Sequence, residues 1–466
     1  MATLMTENSL IVESLAGFVD LTRLHAHQPA RYPYLLASTS HSTSNTSLDR
    51  YDILLGFPQS KVELWPTGLI SDLPGLDETQ FLHALDTAWQ RERKNKPETL
   101  SNLPFHGGWF IYMGYELAAE IEPCLHLVDN ETSAIPTALA IRIPLAVIND
   151  RLEHQSWLVC EPEYEHVIKD TMDDIHCLKT TSLAEDVQWN ITLEEDPPEN
   201  FLDGVEQVKN YIRDGDVFQV NLSRKWTGHS GQDMSETKLF NRLSKSNPSP
   251  FAGLVHFDNA AIISSSPERL VRTHKNVIET RPIAGTRPRG SNDQADKHNL
   301  EELIGHPKER AEHVMLIDLE RNDLGRICNP GSICVDELMV LESYAHVHHI
   351  VSNVRGEIAA NKTPGDIIRA VFPGGTITGC PKVRCMEIIA ELEQTSRGPY
   401  TGAMGYLNHN GDMDLNILIR TIVMDKDKIS FRAGAGLVAD SIAEKELQET
   451  RAKARGMLLS LQENLQ

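Results

Sequence analysis

The chain has 466 residues, 40% of them hydrophobic and 24% charged, which is enough for a large core, too apolar for disorder and too long for a small peptide-binding module. Asp and Glu outnumber Lys and Arg by 66 to 44, and the net charge of -22 would repel a phosphate backbone, so no nucleic acid partner is expected. There is no apolar run of about 18 residues, and the start, MATLMTENSLIVES, lacks a basic n-region, so a cytoplasmic protein with no membrane contact is expected.

Along the chain, YPYLLAS and YDILLGF read as strands on either side of Ser38 to Ser47, a nearly pure Ser/Thr stretch expected to be a flexible loop. Ala138 to Ile148 and Ser156 to Cys160, rich in Val, Ile and aromatics, read as further strands. The acidic LEEDPPEN segment, Leu193 to Asn200, reads as a linker. It divides the chain into an N-terminal subdomain, residues 1-195, and a C-terminal domain, residues 200-466. Beyond it, strand-like segments (Ala261 to Ser265, Lys428 to Ala433) alternate with longer helical patterns, so the expected class is α+β with helices packed on the sheets. The seven cysteines are scattered and form no CxxC, which points to reduced thiols rather than disulfides or a zinc site.

Two helices carry carboxylates at a spacing that could serve a metal. The first opens at Pro307, suited to a first helical position, and stops at Gly325. The second opens with Ser441-Ile-Ala-Glu444, the pattern of a capping box. Glu309 and Glu312 share a face of the first, as do Glu446 and Glu449 of the second, with Lys453 one turn further on. Two such pairs could converge on a hard cation such as Mg²⁺, which takes oxygen ligands and is typically held by one or two carboxylates plus an anionic substrate. The ordinary reading of such pairs is a solvated face, but the apolar run HVMLIDL directly after Glu312 argues that part of the helix is buried.

Three segments are rich in Gly: Arg281 to Gly290 and Phe372 to Lys382, which also carry Thr and basic residues, and Ala433 to Gly436, which is Gly and Ala alone. Gly lets backbone N–H groups approach an anion, so these suit carboxylate or phosphate, or else are tight turns. None matches the P-loop or dinucleotide fingerprints. Arg420, inside the apolar run LNILIRTIVM, needs either an ion pair or a substrate carboxylate to offset its desolvation. His349 lies in an alternating, strand-like run, and Glu268 follows a Pro at a strand end, where burial could raise its pKa and make it a general acid. A core histidine and a turn glutamate are the bland alternatives.

Together these segments resemble the chorismate-utilising enzymes, which include anthranilate synthase component I, aminodeoxychorismate synthase component I, and the isochorismate and salicylate synthases. The likeness runs from about Phe201 to the C-terminus and rests on DVFQVNLSR, SSSPERLV, RPIAGTRPRG, KERAEHVMLIDLERNDLGR, HHIVSNVRGEI, FPGGTITGCPKVRCMEII, PYTGAMGY, AGAGLVADS and ELQET. It implies an anthranilate synthase component I-like fold: two packed β-sheet subdomains with helices outside. It also implies Mg²⁺ on Glu312 and Glu449, with Glu309 and Glu446 lining the same site. Chorismate contacts would come from Gly285, Thr286, Thr376, Tyr400, Arg420, the Gly434, Ala435 and Gly436 backbone, and Lys453. His349 would sit beside the substrate ring, and Glu268 would help the C4 hydroxyl leave.

Water-using members carry a Lys base where this chain has Gln219, which cannot take a proton at neutral pH, so ammonia is the expected nucleophile. With no GxCxGxQ-like elbow in the chain, the ammonia would come from a glutamine amidotransferase subunit, implying a heterodimer. LPFHGGWFIYMGYEL, RYDIL, VHHIVS and PGGTITG resemble aminodeoxychorismate synthases, the favoured subgroup. Ala284 stands where many of those carry a nucleophilic Lys and is the residue usual in anthranilate synthases. The segment LLAST, Leu35 to Thr39, departs from the LLES of feedback-inhibited anthranilate synthases, so weak or no inhibition by tryptophan is expected. A non-catalytic relative is the remaining alternative, and the intact set Glu268, Glu312, Thr376, Arg420 and Glu449 speaks against it.

Overall fold

The computed structural model describes residues 10–40, 50–94, 102–128, 132–178, 189, 191–230, 234–290, 292–305, 307–343 and 347–462. Most of the Ser/Thr stretch expected as a loop, residues 41–47, lies outside the described residues, as does His346. Two large antiparallel sheets form the frame. The first runs in the order Ile11–Leu15, Gln155–Cys160, Leu145–Asp150, Tyr51–Gly56, Tyr34–Ala37, Phe251–Phe257, Ala260–Ser266, Thr421–Asp425, Lys428–Leu437, Gln219–Ser230, Ile191–Glu195, with Gly379–Cys380 added at one end of Gln219–Ser230.

The second sheet runs Ile283–Pro288, Val347–Glu357, Val277–Thr280, Arg269–His274, Met413–Ile417, Ala403–Asn408, Gly108–Met113, Ala138–Ile143, Lys61–Trp65, Gly68–Ser71, and Cys334–Ser343 also pairs with Val347–Glu357. This is the α+β arrangement read from the sequence. In both sheets strands from before and after residue 200 are neighbours: Phe251–Phe257 pairs with Tyr34–Ala37, and Ala403–Asn408 with Gly108–Met113.

An apolar layer joins the two sheets. Tyr34, Ile53, Leu55, Val255 and Ile262 from the first meet Phe110, Tyr112, Leu139, Ile141 and Met404 from the second, with the Tyr34 and Phe110 rings stacked at 4.0 Å. Each such side chain contributes about 1.5–3 kcal/mol by leaving water. Helices cover the outer faces: Phe81–Glu92, Pro307–Gly325 and Pro364–Val371 on the second sheet, Glu236–Ser246 and Ala443–Leu461 on the first.

Three local expectations need correcting. Ala138 to Ile148 is two strands in different sheets: Ala138–Ile143 in the second and Leu145–Asp150 in the first. Pro144 between them has no N–H to continue a ladder. LEEDPPEN is no linker, since Ile191–Glu195 is an edge strand paired with Gln219–Ser230 and a helix begins at Pro198. The second carboxylate-bearing helix begins at Ala443, and the Ser441–Glu444 capping box does not form. Ser441 turns its hydroxyl back to accept the Val438 N–H at 3.1 Å, so the cap position falls to Ile442. The helix from Pro307 to Gly325 has the expected bounds.

Candidate active site

The site is built on the strand pair Gln219–Ser230 and Lys428–Leu437, in which Asn221 faces Gly436 and Ser223 faces Gly434. Ala433 to Gly436, expected as a turn, lies inside the second of these strands. Its glycines serve close approach: a Cβ at Gly434 would lie 2.6 Å from Asn221 Oδ1 and 2.8 Å from the Tyr400 hydroxyl, and one at Gly436 would collide with Gln219 Nε2. Between them Ala435 is fully buried. The missing side chains leave room for Gln219, Asn221 and Tyr400 over the strand.

Gln219 is buried, and its Nε2 donates to Glu312 Oε1 at 2.9 Å. Its Oε1 has no hydrogen-bond partner among the described residues. Glu312 sits on the Pro307–Gly325 helix, and one turn earlier Glu309 accepts a hydrogen bond from Arg287 Nη1 at 3.2 Å. A Cβ at Gly285 would lie 2.9 Å from Glu309 Oε2. Gly285 has φ +75, and the pairing with Val347–Glu357 shifts register there, so that Thr286 is opposite His349. Only glycine takes that backbone conformation without strain. The Thr286 side chain is outside the described atoms.

The C-terminal helix closes another side. Lys453 Nζ donates to the Gly434 carbonyl at 3.0 Å and pairs with Glu449 at 2.7 Å, while Glu446 is buried one turn earlier. Arg420 stands between the strands Met413–Ile417 and Thr421–Asp425 with φ +53, and its Nη1 donates to the Lys453 carbonyl at 2.5 Å. Burial lowers its pKa against the charges of Tyr400 and Glu449, and no ion pair is drawn to it among the described residues. Its remaining donors are therefore available to an anion.

Glu268 is buried at the start of a strand and accepts the Thr376 hydroxyl at 2.8 Å. Burial pushes its pKa up to about 7, although Thr376, the Ile283 backbone N–H and the charge of Lys453 all favour its ionised form. At neutral pH it is poised between acid and carboxylate, as a general acid must be. Burial, followed by the neighbouring Arg420, brings His349 down to about 4 against a hydrogen bond with Gly285, so its imidazole is neutral. The charge of Lys453 acts on Glu268, that of Arg420 on His349, and that of Glu449 on Arg420, so these side chains lie near enough to influence one another.

A buttress behind Tyr400 was not read from the sequence. Glu393 bonds Arg397 Nη2 at 2.6 Å, Arg432 Nη2 at 2.8 Å and the Ser223 hydroxyl at 2.8 Å. Arg397 also donates to the Asn221 carbonyl at 2.8 Å and lies 5.5 Å from the Tyr400 ring centroid. The i, i+4 spacing of Glu393 and Arg397 was its one visible signal. Also missed was Glu320, a buried acid whose pKa is raised by burial and then by Asp323, with Glu268 adding to it.

Among the described residues no group of three or more His, Cys, Asp or Glu side chains is placed to hold a metal ion. Two of the expected metal ligands border the glycine strand: Glu312, which a Gly436 Cβ would approach to 3.7 Å, and Glu449, paired with the Lys453 that donates to the Gly434 carbonyl. Two carboxylate oxygens, completed by water and an anionic substrate, suit Mg²⁺ and need no third side chain.

A family model described as chorismate binding enzyme matches residues 41–459. The anthranilate synthase component I-like protein of Synechocystis sp. is 40% identical over 458 residues, 97% of this chain and 91% of that one. The aminodeoxychorismate synthase component 1 of Bacillus subtilis is 41% identical over 385 residues, 78% of this chain and 79% of that one. Among solved structures, anthranilate synthase component I from Streptococcus pneumoniae superposes with a TM-score of 0.78 at 30% identity, covering 90% of this chain and 94% of its own. The expected fold is thus the one observed.

Proposed function

This chain belongs to the chorismate-binding enzyme family, and we propose that it is aminodeoxychorismate synthase component I, aminating chorismate with ammonia from a glutamine amidotransferase subunit. The observation that carries the choice of nucleophile is Gln219. Its amide N–H is committed to Glu312, and its buried Oε1 has no partner among the described residues. A carboxamide there cannot deprotonate water, but that oxygen can accept an N–H from ammonia, which needs little activation.

Glu268, protonated, gives its proton to the C4 hydroxyl as the C–O bond breaks, and Thr376 fixes which oxygen faces the substrate. Arg420, Lys453, Thr286 and the backbone at Gly285 and from Gly434 to Gly436 hold the substrate's carboxylates, while neutral His349 lies along the ring. Glu312 and Glu449, lined by Glu309 and Glu446, would hold Mg²⁺, which supplies positive charge to a substrate carboxylate when bound. Ala284 offers no amine, so addition at C2, with the C4 hydroxyl leaving as water, falls to ammonia itself or to another nucleophile, and ammonia then adds at C4 as the C2 substituent leaves.

The sequence segments shared with aminodeoxychorismate synthases and the Bacillus subtilis relative support this product. Ala284 and relatives such as the anthranilate synthase component 1 of Synechocystis sp., 39% identical over 418 residues, favour a second reading, anthranilate synthase component I. The product assay separates them. With chorismate, ammonium and Mg²⁺, the first reading gives 4-aminobenzoate only after a separate lyase is added, and direct formation of fluorescent anthranilate sinks it. Glu449→Ala should abolish turnover and its Mg²⁺ dependence while leaving the thermal unfolding midpoint in place; near-normal activity would remove Glu449 from the metal site.

The LLAST segment borders a cavity of about 330 Å³ lined by Leu36, Ala37, Arg269, Asp414 and Asn416. Arg269 already engages both oxygens of Asp414, at 2.8 and 2.9 Å. That carboxylate is neutralised before any amino acid's ammonium group can reach it, consistent with weak or absent inhibition by tryptophan.

A further inference from the structure

Tyr400 also lines a second space, a groove of about 310 Å³ over the outer part of the same strand pair. The face of Gln219–Ser230 that presents Gln219, Asn221 and Ser223 presents Lys225 next. Lys225 is directly opposite Arg432 on the neighbouring strand, and Lys428 follows on the Arg432 side of that strand; all three line the groove. Like charges placed opposite one another on a sheet repel. Glu393 pairs with Arg432, but among the described residues no carboxylate pairs with the Lys225 or Lys428 ammonium.

The bookkeeping of charge around the groove is one-sided. Arg432 uses Nε on Ser223 at 3.0 Å and Nη2 on Glu393, leaving Nη1 buried with no partner among the described residues. The Lys225 ammonium has no hydrogen bond or ion pair among the described residues, and burial, Arg432 and Lys428 lower its pKa against the charge of Asp196, whose carboxylate accepts the Lys225 backbone N–H at 2.7 Å. The acids of the groove are committed elsewhere. Glu116 accepts the backbone N–H groups of Arg397 and Gly398, Asp425 that of Ala134, and Asp427 pairs with His229. A half-buried ammonium facing a guanidinium is costly unless an anion joins them.

We propose that this groove binds a small oxyanion, a phosphate or carboxylate group seated among Lys225, Lys428 and Arg432, at a site separate from the chorismate pocket but sharing its wall at Tyr400. Such an anion would also be coupled to that wall. Arg432 and Arg397 share Glu393, and Arg397 packs on Tyr400.

The test is calorimetric titration of inorganic phosphate into the full chain at low ionic strength, with chloride as the control. Saturable binding is expected, weakened about tenfold or more in Lys225→Met, the scale of one charge-assisted hydrogen bond. Lys428→Met, an exposed change that cannot disturb the core, should weaken it several-fold, and Lys453→Met, on the chorismate side, should leave it intact. Malonate in parallel tells the two ligand classes apart: tighter binding than phosphate assigns a carboxylate ligand, weaker binding a phosphate. Absence of saturable binding by both anions, unchanged affinity in both the Lys225 and Lys428 variants, or loss in Lys453→Met alone overturns the proposal.

Discussion

Glu268 and Glu161 are both buried glutamates following a strand or turn, yet the protein treats them in opposite ways. Glu268 has a threonine hydroxyl and a backbone N–H as its neighbours, and burial leaves its pKa near 7. Glu161 accepts from His409 Nε2 at 3.0 Å and from Arg142 Nη2. Burial would raise it too, but His409 and Arg142 bring it to about 2. The difference is a cation in contact. A paired buried carboxylate is a fixed charge that ties elements together, whereas one without a contacting cation can exchange a proton at physiological pH.

The largest expected effect comes from removing the exchangeable proton. Glu268→Gln should lower turnover by about 10²–10⁴-fold with the unfolding midpoint unchanged or raised; near-normal turnover would end its assignment as the general acid. The mirror experiment, Glu161→Gln, should cost about 1.5–3 kcal/mol of stability by removing one of the two carboxylates on Arg142, Glu92 remaining on its Nε, with activity per folded molecule unchanged. Denaturant unfolding and an active-site-normalised assay separate the two outcomes.

The two residues also predict opposite pH dependences. For Glu161 the folded pKa is depressed, so its stabilisation is present above the ordinary value of 4.5 and is lost as pH falls toward about 2. For Glu268 it is raised, so the favourable contribution is complete below 4.5 and is lost as pH rises through about 7, and turnover that needs its proton falls over the same upper range. Stability curves measured against pH for each Gln variant should lose one limb each. The smallest effect is at Thr376. Thr376→Val removes a donor that favours the carboxylate, so the alkaline limb of the rate profile should move to higher pH with turnover reduced only a few-fold; a limb that stays in place would show that Thr376 does not set the Glu268 proton affinity.

Much of this was legible in the residues, for reasons that differ by region. The Pro307–Gly325 helix carries its own start and stop signals, Arg420 stands out as a charge in an apolar run, Glu268 follows a Pro at a strand end, and Gln219 is picked out by the family resemblance. What composition could not tell was which sheet a strand joins: Ala138 to Ile148 reads as one run because both of its halves are buried on both faces. The alternation of Ile191–Glu195 was masked by the Pro-Pro that follows it. Glycines 434 and 436 read as a turn because the need for close approach depends on Gln219 and Asn221, more than two hundred residues earlier in the chain. The Glu393 buttress depends on the same long-range pairing.

That pairing has a consequence for how the protein is made. The backbone N–H of His106 finds its acceptor on Asn408, 302 residues later, and Gly108–Met113 waits equally long for Ala403–Asn408. At about 5–20 residues per second of synthesis, the early strands spend on the order of 15–60 s outside the ribosome with open edges and an uncovered apolar face. The nascent chain therefore has to be shielded from its own neighbours until the last strands emerge, and a product truncated before them has no sheet to complete. Assembly of this enzyme is governed by its final segment as much as its chemistry is.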